Sequence, residues 1–392
     1  MKRWTMATGF AFLVLGGTIS PRFVPYQTAS HVTAPRLRQP AWLSAVSCVS
    51  TKNCTAVGSS GSQLLAEAWN GKSWKTESAP RPPGATSAAL RGVSCASVRA
   101  CVAVGTLFKK GVVETLADAW NGKTWKTDPT PNPAKAQSGP NEGSSLLGVS
   151  CASAVACTAV GYYVKKGTYE SLTLAETWNG KLWKIQPTPT IPGGPPSALW
   201  SVSCTRANAC TAVGYQGSLT LAEGWNGKSW KMQRTPGLAK PYSSEFYGVS
   251  CVRSGTCVAV ATGGTSAGGP RAFAEIWNKK IWKLERTPSP VGSSGTNLTG
   301  TSCVPAESCN VVGGFQTSGH AFRLSAGAWN GKTWRLERTP EPTGATSPSL
   351  VGISCASATM CIAAGSYYHG GTQVTLAEGW NGNSWKIQSP LQ

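Results

Sequence analysis

The chain writes one heptapeptide seven times. "WNGKSWK" begins at Trp69 and returns as "WNGKTWK" at Trp120, "WNGKLWK" at Trp178, "WNGKSWK" at Trp225, "WNKKIWK" at Trp277, "WNGKTWR" at Trp329 and "WNGNSWK" at Trp380. A Cys-x5-Cys pair precedes each copy. The pairs are Cys48/Cys54, Cys95/Cys101, Cys151/Cys157, Cys204/Cys210, Cys251/Cys257, Cys303/Cys309 and Cys355/Cys361, and they use all 14 cysteines. Successive pairs are 47, 56, 53, 47, 52 and 52 residues apart. A fixed period near 50 residues marks a repeat architecture, so the chain is read repeat by repeat.

Each repeat holds the same four segments: "LxGVSC", "CxAVG", "LAExW" and "WKxxxTP". All are short, rich in β-branched and aromatic residues, and bounded by Gly, Pro, Asn or Ser, which is the signature of strands. No segment sustains a 3.6-residue period, so almost no helix is expected. Four strands in each of seven repeats predict an all-β seven-bladed propeller over residues 42–390, four antiparallel strands to a blade. The first unit starts on its own first strand and the last ends on its own fourth, so the ring is expected to close without a swapped strand.

Asn-Gly is the preferred dipeptide of a two-residue type I′ hairpin, in which both residues take φ > 0. On that reading Trp69 faces Lys72 across the turn. Thr76, Ile185, Met232, Leu284, Leu336 and Ile387 then follow on the same side as the second Trp of each motif. Fourteen of the 17 tryptophans become wedges between blades. The cysteines close the first hairpin of each blade as one Cys-x5-Cys disulfide. Fully paired cysteines point to an oxidising compartment. Zinc sites use tighter Cys spacing in sets of four ligands, and no metal or other cofactor is expected. A loop this short should add only about 2 kcal/mol per bridge.

The stretch "WKTESAPRPPG…LRGVSC…CVAVG" resembles a kelch repeat, and the resemblance runs from Trp42 to Pro390. Gly313-Gly314 is its one double glycine after strand two; most units carry Val-Gly. The Gly-x-x-Trp of "NGKSW" is similar to the Asp-box turn of sialidase-type (BNR) propellers, with Trp69 where the defining Asp would stand. Both resemblances imply a propeller.

The chain begins "MKRWTMATGFAFLVLGGTIS". Lys2 and Arg3 precede a 14-residue uncharged run, Met6 to Ile19, which reads as a secretory signal over residues 1–30 or as an N-terminal anchor. Residues 31–41 read as a linker. The protein is then expected outside the cell or on the outer face of its envelope, a monomer touching membrane only through that anchor.

Net charge is +20, which favours anionic partners. No nucleic-acid motif is present, leaving anionic cell-wall polymer, glycan or a surface protein as candidates. In a four-stranded blade the 1–2 and 3–4 turns share one face. Lys72 to Lys386 are therefore expected to ring that face, together with the disulfide loops, as a soluble or polyanion-binding surface. The other face carries the 2–3 loops, which differ from blade to blade. It offers Lys109, Lys110, Tyr162, Tyr163, Lys165, Lys166, Tyr215, Tyr367, Tyr368 and His369 as a candidate ligand surface, mixing cations with aromatics. Glu67, Asp118, Glu176, Glu223, Glu275 and Glu378 recur in "AExW". One carboxylate per blade does not build a single catalytic constellation, and these are expected to pair with nearby Lys or hydroxyl groups. The sequence therefore reads as a non-catalytic binding propeller, with a lectin of one site per blade and a sialidase-like hydrolase as alternatives.

Overall fold

The computed structural model describes residues 39–388 apart from 138, 140, 141, 190, 192, 239–241, 254, 255, 265–268 and 305–307. The signal and linker expectations for residues 1–38 lie outside the described residues. Residues 39–388 form 28 strands in seven antiparallel sheets, and no helix among the described residues. Each sheet is one blade: residues 41–77, 85–128, 144–186, 197–233, 243–286, 293–337 and 346–388 for blades 1 to 7. Sheet order follows chain order in every blade. First strands of neighbouring blades contact one another around the ring, and the first strand of blade 1 contacts that of blade 7. Among the described residues blade 7 contains only its own four strands and the ring closes without an exchanged strand.

Blade 1 explains the repeat. Cys48 stands opposite Cys54, Cys54 opposite Trp69, and Trp69 opposite Trp74. One row, Cys-Cys-Trp-Trp, thus crosses all four strands on one face. The same row occurs in every blade, with Cys361, Trp380 and Trp385 for example in blade 7. The two Trp rings of each blade pack at 5.2 to 5.8 Å between centroids. The second Trp is 3–4% exposed in six blades and half-buried only at Trp334. These rows face the preceding blade: Trp74 joins Leu43, Val46 and Leu65 against Ile362, Ala364 and Ala377 of blade 7. Burying an aromatic side chain removes some 150–250 Å² from water, so the row dominates each blade contact.

All seven cysteine pairs are disulfide-bonded within their blade, as the spacing predicts. The hairpin loops they close lie beside the "WNGK" loops, as the sequence reading has it: Gly71 sits against Lys52, Gly122 against Arg99 and Gly382 against Thr359. The second cysteine of every pair is buried: Cys54, Cys101, Cys157, Cys210, Cys257, Cys309 and Cys361. Cys157 and Cys309 are 2% and 1% exposed. Cys157 packs with Val102, Val104 and Trp183 in the seam between blades 2 and 3, and Cys309 with Val258, Ala274 and Trp329 between blades 5 and 6. The physical reason is the register. Each second cysteine stands opposite the first Trp of its blade, Cys157 opposite Trp178 and Cys309 opposite Trp329, so it lies inside the row that the preceding blade covers. These cysteines hold the fold.

The turn between the two Trp differs from expectation. Trp69 pairs with Trp74, not Lys72, and the loop is four residues long. Asn70 accepts backbone N–H bonds from Lys72 (2.9 Å) and Ser73 (3.0 Å) on its Oδ1. The Asn is repeated for this acceptor, an Asx-type turn, and not for a left-handed backbone. Only the second loop residue has positive φ, 93° at Gly71 and 79° at Lys279, where blade 5 writes Lys for Gly. The added residues place the outer strand so that Ile185, Met232, Leu284, Leu336 and Ile387 are 37–44% exposed. They do not extend the packed row as the sequence reading had it, because no strand lies beyond the fourth to cover them.

The Ser of "VSC" has a role that sequence reading missed. Ser47 Oγ accepts the backbone N–H of Cys95 at 3.0 Å, Ser94 that of Cys151 and Ser150 that of Cys204, both at 2.9 Å. Ser203, Ser250 and Ser302 do the same for Cys251, Cys303 and Cys355. Ser354 takes the N–H of Cys48 at 2.9 Å and completes the circle.

Candidate functional site

The repeated carboxyl groups can be dismissed first as a binding site. Glu67, Asp118, Glu176, Glu223, Glu275 and Glu378 are 0–2% exposed. Glu67 stands two residues from Trp69 on the same apolar face. Among the described residues no Lys forms an ion pair with any of them. Glu275 Oε1 accepts the N–H of Gly237 at 3.0 Å. Both carboxyl oxygens of Asp118, Glu176, Glu223 and Glu378 are buried without a hydrogen-bond partner; Thr127 approaches Asp118 without reaching bonding geometry. The expected pairing with Lys is therefore corrected. Burial in an apolar face disfavours the charged form, raising Glu176, Glu223 and Glu378 to about 8, Glu67 and Glu275 to about 7, and Asp118 to about 6. Each lies in a different blade, so they do not converge.

The candidate residues on the 2–3 face separate into three groups. Tyr163 and Tyr367 pack against the buried clusters that join blades 2 and 3 and blades 6 and 7. Lys109 and His369 end second strands, with side chains lying over Gly84 and Gly344 of the preceding connections. Tyr368 is half-buried on the second strand of blade 7, while Lys110 and Lys166 are exposed at turns. Lys165 and Lys166 are tied by their backbones to the connection before blade 3, Lys166 N donating to Lys135 O at 2.9 Å. Tyr162 and Tyr215 belong to the third group, with residues that the sequence reading did not bring together. The blade 7 residues stand apart from this group.

That group forms because the first strand of most blades carries a β-bulge. Leu90 and Val93 are three residues apart yet join one cluster facing blade 1. Gly92 lies against the backbone of Leu147 and Gly148 of blade 3, and pairing shifts between Leu90 and Gly92. The additional residue, Arg91, is therefore turned out of the sheet toward the ring axis. The equivalent residues in the other blades are Ser44, Leu147, Trp200, Tyr247, Thr299 and Val351.

Around the axis these side chains connect. Trp200 stacks near Tyr247, 6.3 Å between centroids at 25°, and lies 6.3 Å from Tyr215. Tyr247 donates its hydroxyl to Glu245 Oε1. Burial, followed by this bond and the Glu245 charge, pushes the Tyr247 phenol far up. Burial also raises Tyr162, with Tyr215 adding to the effect and the Arg91 charge opposing it. Arg91 is exposed to solvent but crowded by protein, and desolvation lowers its guanidinium. Blades 2 to 5 thus place Arg91, Tyr162, Tyr215, Trp200, Tyr247 and Glu245 in sequence around the channel mouth. A cleft of about 420 Å³ opens at the Glu245 end, lined by Ser218, Ser243, Ser244, Glu245, Tyr247 and Thr262 among others. Two signals for this site were present in the chain: Trp200 is a tryptophan outside the heptapeptide, and the "x" of "LxGVSC" changes in every repeat.

On the opposite face, two grooves repeat one another. That of about 270 Å³ between blades 4 and 5 is lined by Asn226, Lys231, Gln233 and Trp277. That of about 210 Å³ between blades 5 and 6 uses the same repeat positions, Asn278, Lys283, Glu285 and Trp329. Among the described residues no group of three or more His, Cys, Asp or Glu is placed to hold a metal ion.

No protein-family model matches the chain, and no curated protein sequence matches it. Solved structures of other proteins resemble the chain. A fungal lectin from Aleuria aurantia, a six-bladed propeller that recognises fucose, is 13% identical with a TM-score of 0.45, over 79% of this chain and 100% of that one. An α-L-arabinanase from Penicillium chrysogenum, solved with arabinobiose, is 11% identical with a TM-score of 0.42, over 88% and 98%. Prolyl oligopeptidase B from Galerina marginata is 8% identical with a TM-score of 0.51, over 91% of this chain but 51% of that one, so this chain spans about half of it. At such identities the likeness concerns fold alone. The resemblance to kelch and sialidase-type repeats accordingly goes no further than the fold: the chain is a seven-bladed β-propeller with one disulfide in each blade.

Proposed function

We propose that this protein is a non-catalytic carbohydrate-binding propeller acting outside the cell, with its ligand held at the channel mouth over blades 3 to 5. The observation that carries the reading is the row Tyr215, Trp200, Tyr247, bounded by Glu245 and opening into the cleft. A sugar ring has an apolar C–H face and a rim of hydroxyls. Aromatic faces receive the first; a carboxylate and the Ser and Thr hydroxyls of the cleft receive the second. Among the described residues Glu245 is the one carboxylate lining the cleft, whereas retaining or inverting hydrolysis needs two flanking the bond. Seven intra-blade disulfides suit an extracellular setting. The test is calorimetric titration with a panel of oligosaccharides, wild type beside Trp200→Ala. The variant should bind at least ten times more weakly while still melting in one cooperative transition well above the assay temperature. Equal binding by both proteins would remove the channel mouth from consideration.

The two equivalent grooves on the opposite face favour a second reading, a lectin with one site per blade. Stoichiometry separates the two readings. One ligand per chain supports the channel mouth; several, abolished by changing Trp277 and Lys231 but not Trp200, support the grooves.

A further inference from the structure

Seven residues occupy the bulge position that faces the ring axis: Ser44, Arg91, Leu147, Trp200, Tyr247, Thr299 and Val351. One of them carries a charge. We propose that the ligand at the channel mouth is an acidic oligosaccharide, a hexuronate-containing one, and that Arg91 holds its carboxylate. This rests on the carbohydrate reading above and names the class of sugar.

Three observations carry the assignment. Arg91 has no carboxylate within ion-pair distance: among the described residues the ion pairs are Arg323 with Glu341 and Arg335 with Glu337. Neighbouring protein takes part of the hydration from this guanidinium and lowers it, and no protein carboxylate among the described residues replaces what is lost. Second, Tyr162 lies within electrostatic reach of Arg91 on one side and Tyr215 on the other. It stands between the cation and the aromatic row. Third, the site has a polarity. Arg91 stands at its blade 2 end and Glu245 at its blade 5 end, with Trp200 and Tyr247 on the same ring as Arg91. A sugar chain laid across it meets a planar five-donor fork at one end, ring faces in the middle and an acceptor at the other. The fork matches a carboxylate with two parallel N–H···O bonds, while Glu245 repels an acidic residue at its own end. The ligand is therefore asymmetric, with its carboxylate toward blade 2. Lys109 and Lys110 on the same blade add positive field on the approach.

The test uses the full chain and three matched pairs: trimers of galacturonate, glucuronate and mannuronate, each as the free acid and as its methyl ester. Each pair differs in charge, with only a methyl group added. Wild type should bind at least one free acid ten times or more tighter than its ester. Arg91→Met should bring acid and ester affinities together, the acid losing far more than the ester. Arg91→Lys should keep part of the preference but lose the two-point geometry. Trp200→Ala should weaken acid and ester alike. Melting curves for each variant separate lost binding from lost fold; Arg91 is exposed, so its variants should melt with wild type. If wild type binds acid and ester equally, or if Arg91→Met keeps the preference while Trp200→Ala abolishes binding, the acidic assignment is wrong and the carbohydrate reading stands. If no trimer binds but neutral sugars do, the result is the same. If no sugar of either kind binds wild type, both fall together.

Discussion

The two ends of each blade obey different rules. At the end where the disulfide hairpin and the "WNGK" loop meet, all seven blades repeat one arrangement: a Cys-Cys-Trp-Trp row, an Asn-capped turn and a serine latch to the next blade. At the other end the bulge residue is Ser, Arg, Leu, Trp, Tyr, Thr or Val, and the 2–3 connection ranges from the two residues 61–62 in blade 1 to the six residues 165–170 in blade 3. The constant end supplies the ring contacts. Freed from that task, the variable end can bring different side chains to one mouth. Where the seven copies agree, the residues hold the fold; where they disagree, they define one place. Two residues of the same type, Trp125 and Trp200, stand on either side of that division.

Those tryptophans give the most direct challenge to the division. Trp125 is 3% exposed, belongs to the cluster joining blades 1 and 2, and donates its indole N–H to Glu77 Oε2 at 3.0 Å. Trp125→Ala should cost about 3–5 kcal/mol in urea denaturation. Trp200→Ala, at a half-buried ring, should cost about 1–2 kcal/mol, clearly less than Trp125→Ala, and remove sugar binding. Comparable loss of stability in both variants would erase the contrast.

Acidity tests the contrast next, because the raised carboxyl groups sit in the packed faces and not at the mouth. Their folded-state pKa values lie above the unfolded value of about 4.5, so the folded chain binds their protons more tightly. The resulting stability is fully present below about pH 4.5 and is lost as pH rises through about 8. The melting temperature should fall by roughly 5 °C between pH 5 and pH 9. Changing Glu176, Glu223 and Glu378 together to Gln should flatten that slope, and a slope of the opposite sign would contradict the buried, unpaired placement.

Removing one bridge, Cys95→Ser with Cys101→Ser, should cost about 2 kcal/mol and leave sugar affinity unchanged. Cutting one latch, Ser94→Ala, should cost about 1 kcal/mol, since the Cys151 N–H loses its partner. Both are read from denaturation midpoints beside a sugar titration. A latch variant that lost affinity but kept its midpoint would place function at the constant end.

Much of the fold was legible because it is written locally and written seven times. The Cys spacing, the four strand segments and the absence of helix all follow from patterns within one repeat. The spacing told which cysteines pair but not where the bridges lie; that Cys157 and Cys309 sit inside a blade seam depends on the register against the third strand. The "WNGK" turn was misread because Asn-Gly suits two loop geometries; Asn70 used its side chain, and the register moved to Trp69 opposite Trp74. The buried Glu was misassigned although "LAEAW" places Leu65, Glu67 and Trp69 on one face, which already implied an apolar setting. Arg91, Trp200 and Tyr247 were missed for a different reason. A bulge breaks the period of two, so the residue it turns outward belongs to neither face of the alternation. Its trace was the three-residue step from Leu90 to Val93.

The latch from Ser354 to Cys48 joins residues 306 positions apart, whereas the other six span from 48, as between Ser47 and Cys95, to 57, between Ser94 and Cys151. Six seams can therefore form between neighbours as the chain emerges, each bringing together segments close in sequence. The seventh has to wait for the whole chain. Until blade 7 arrives, the face of blade 1 holding Leu43, Val46, Leu65 and Trp74 has nothing to cover it. An incomplete chain is thus an open arc with one bare hydrophobic flank, and it is open to self-association during synthesis. In a ring built from near-identical blades, that flank also fits a blade of another chain. The time taken to make the last blade sets how long the molecule is exposed to that error.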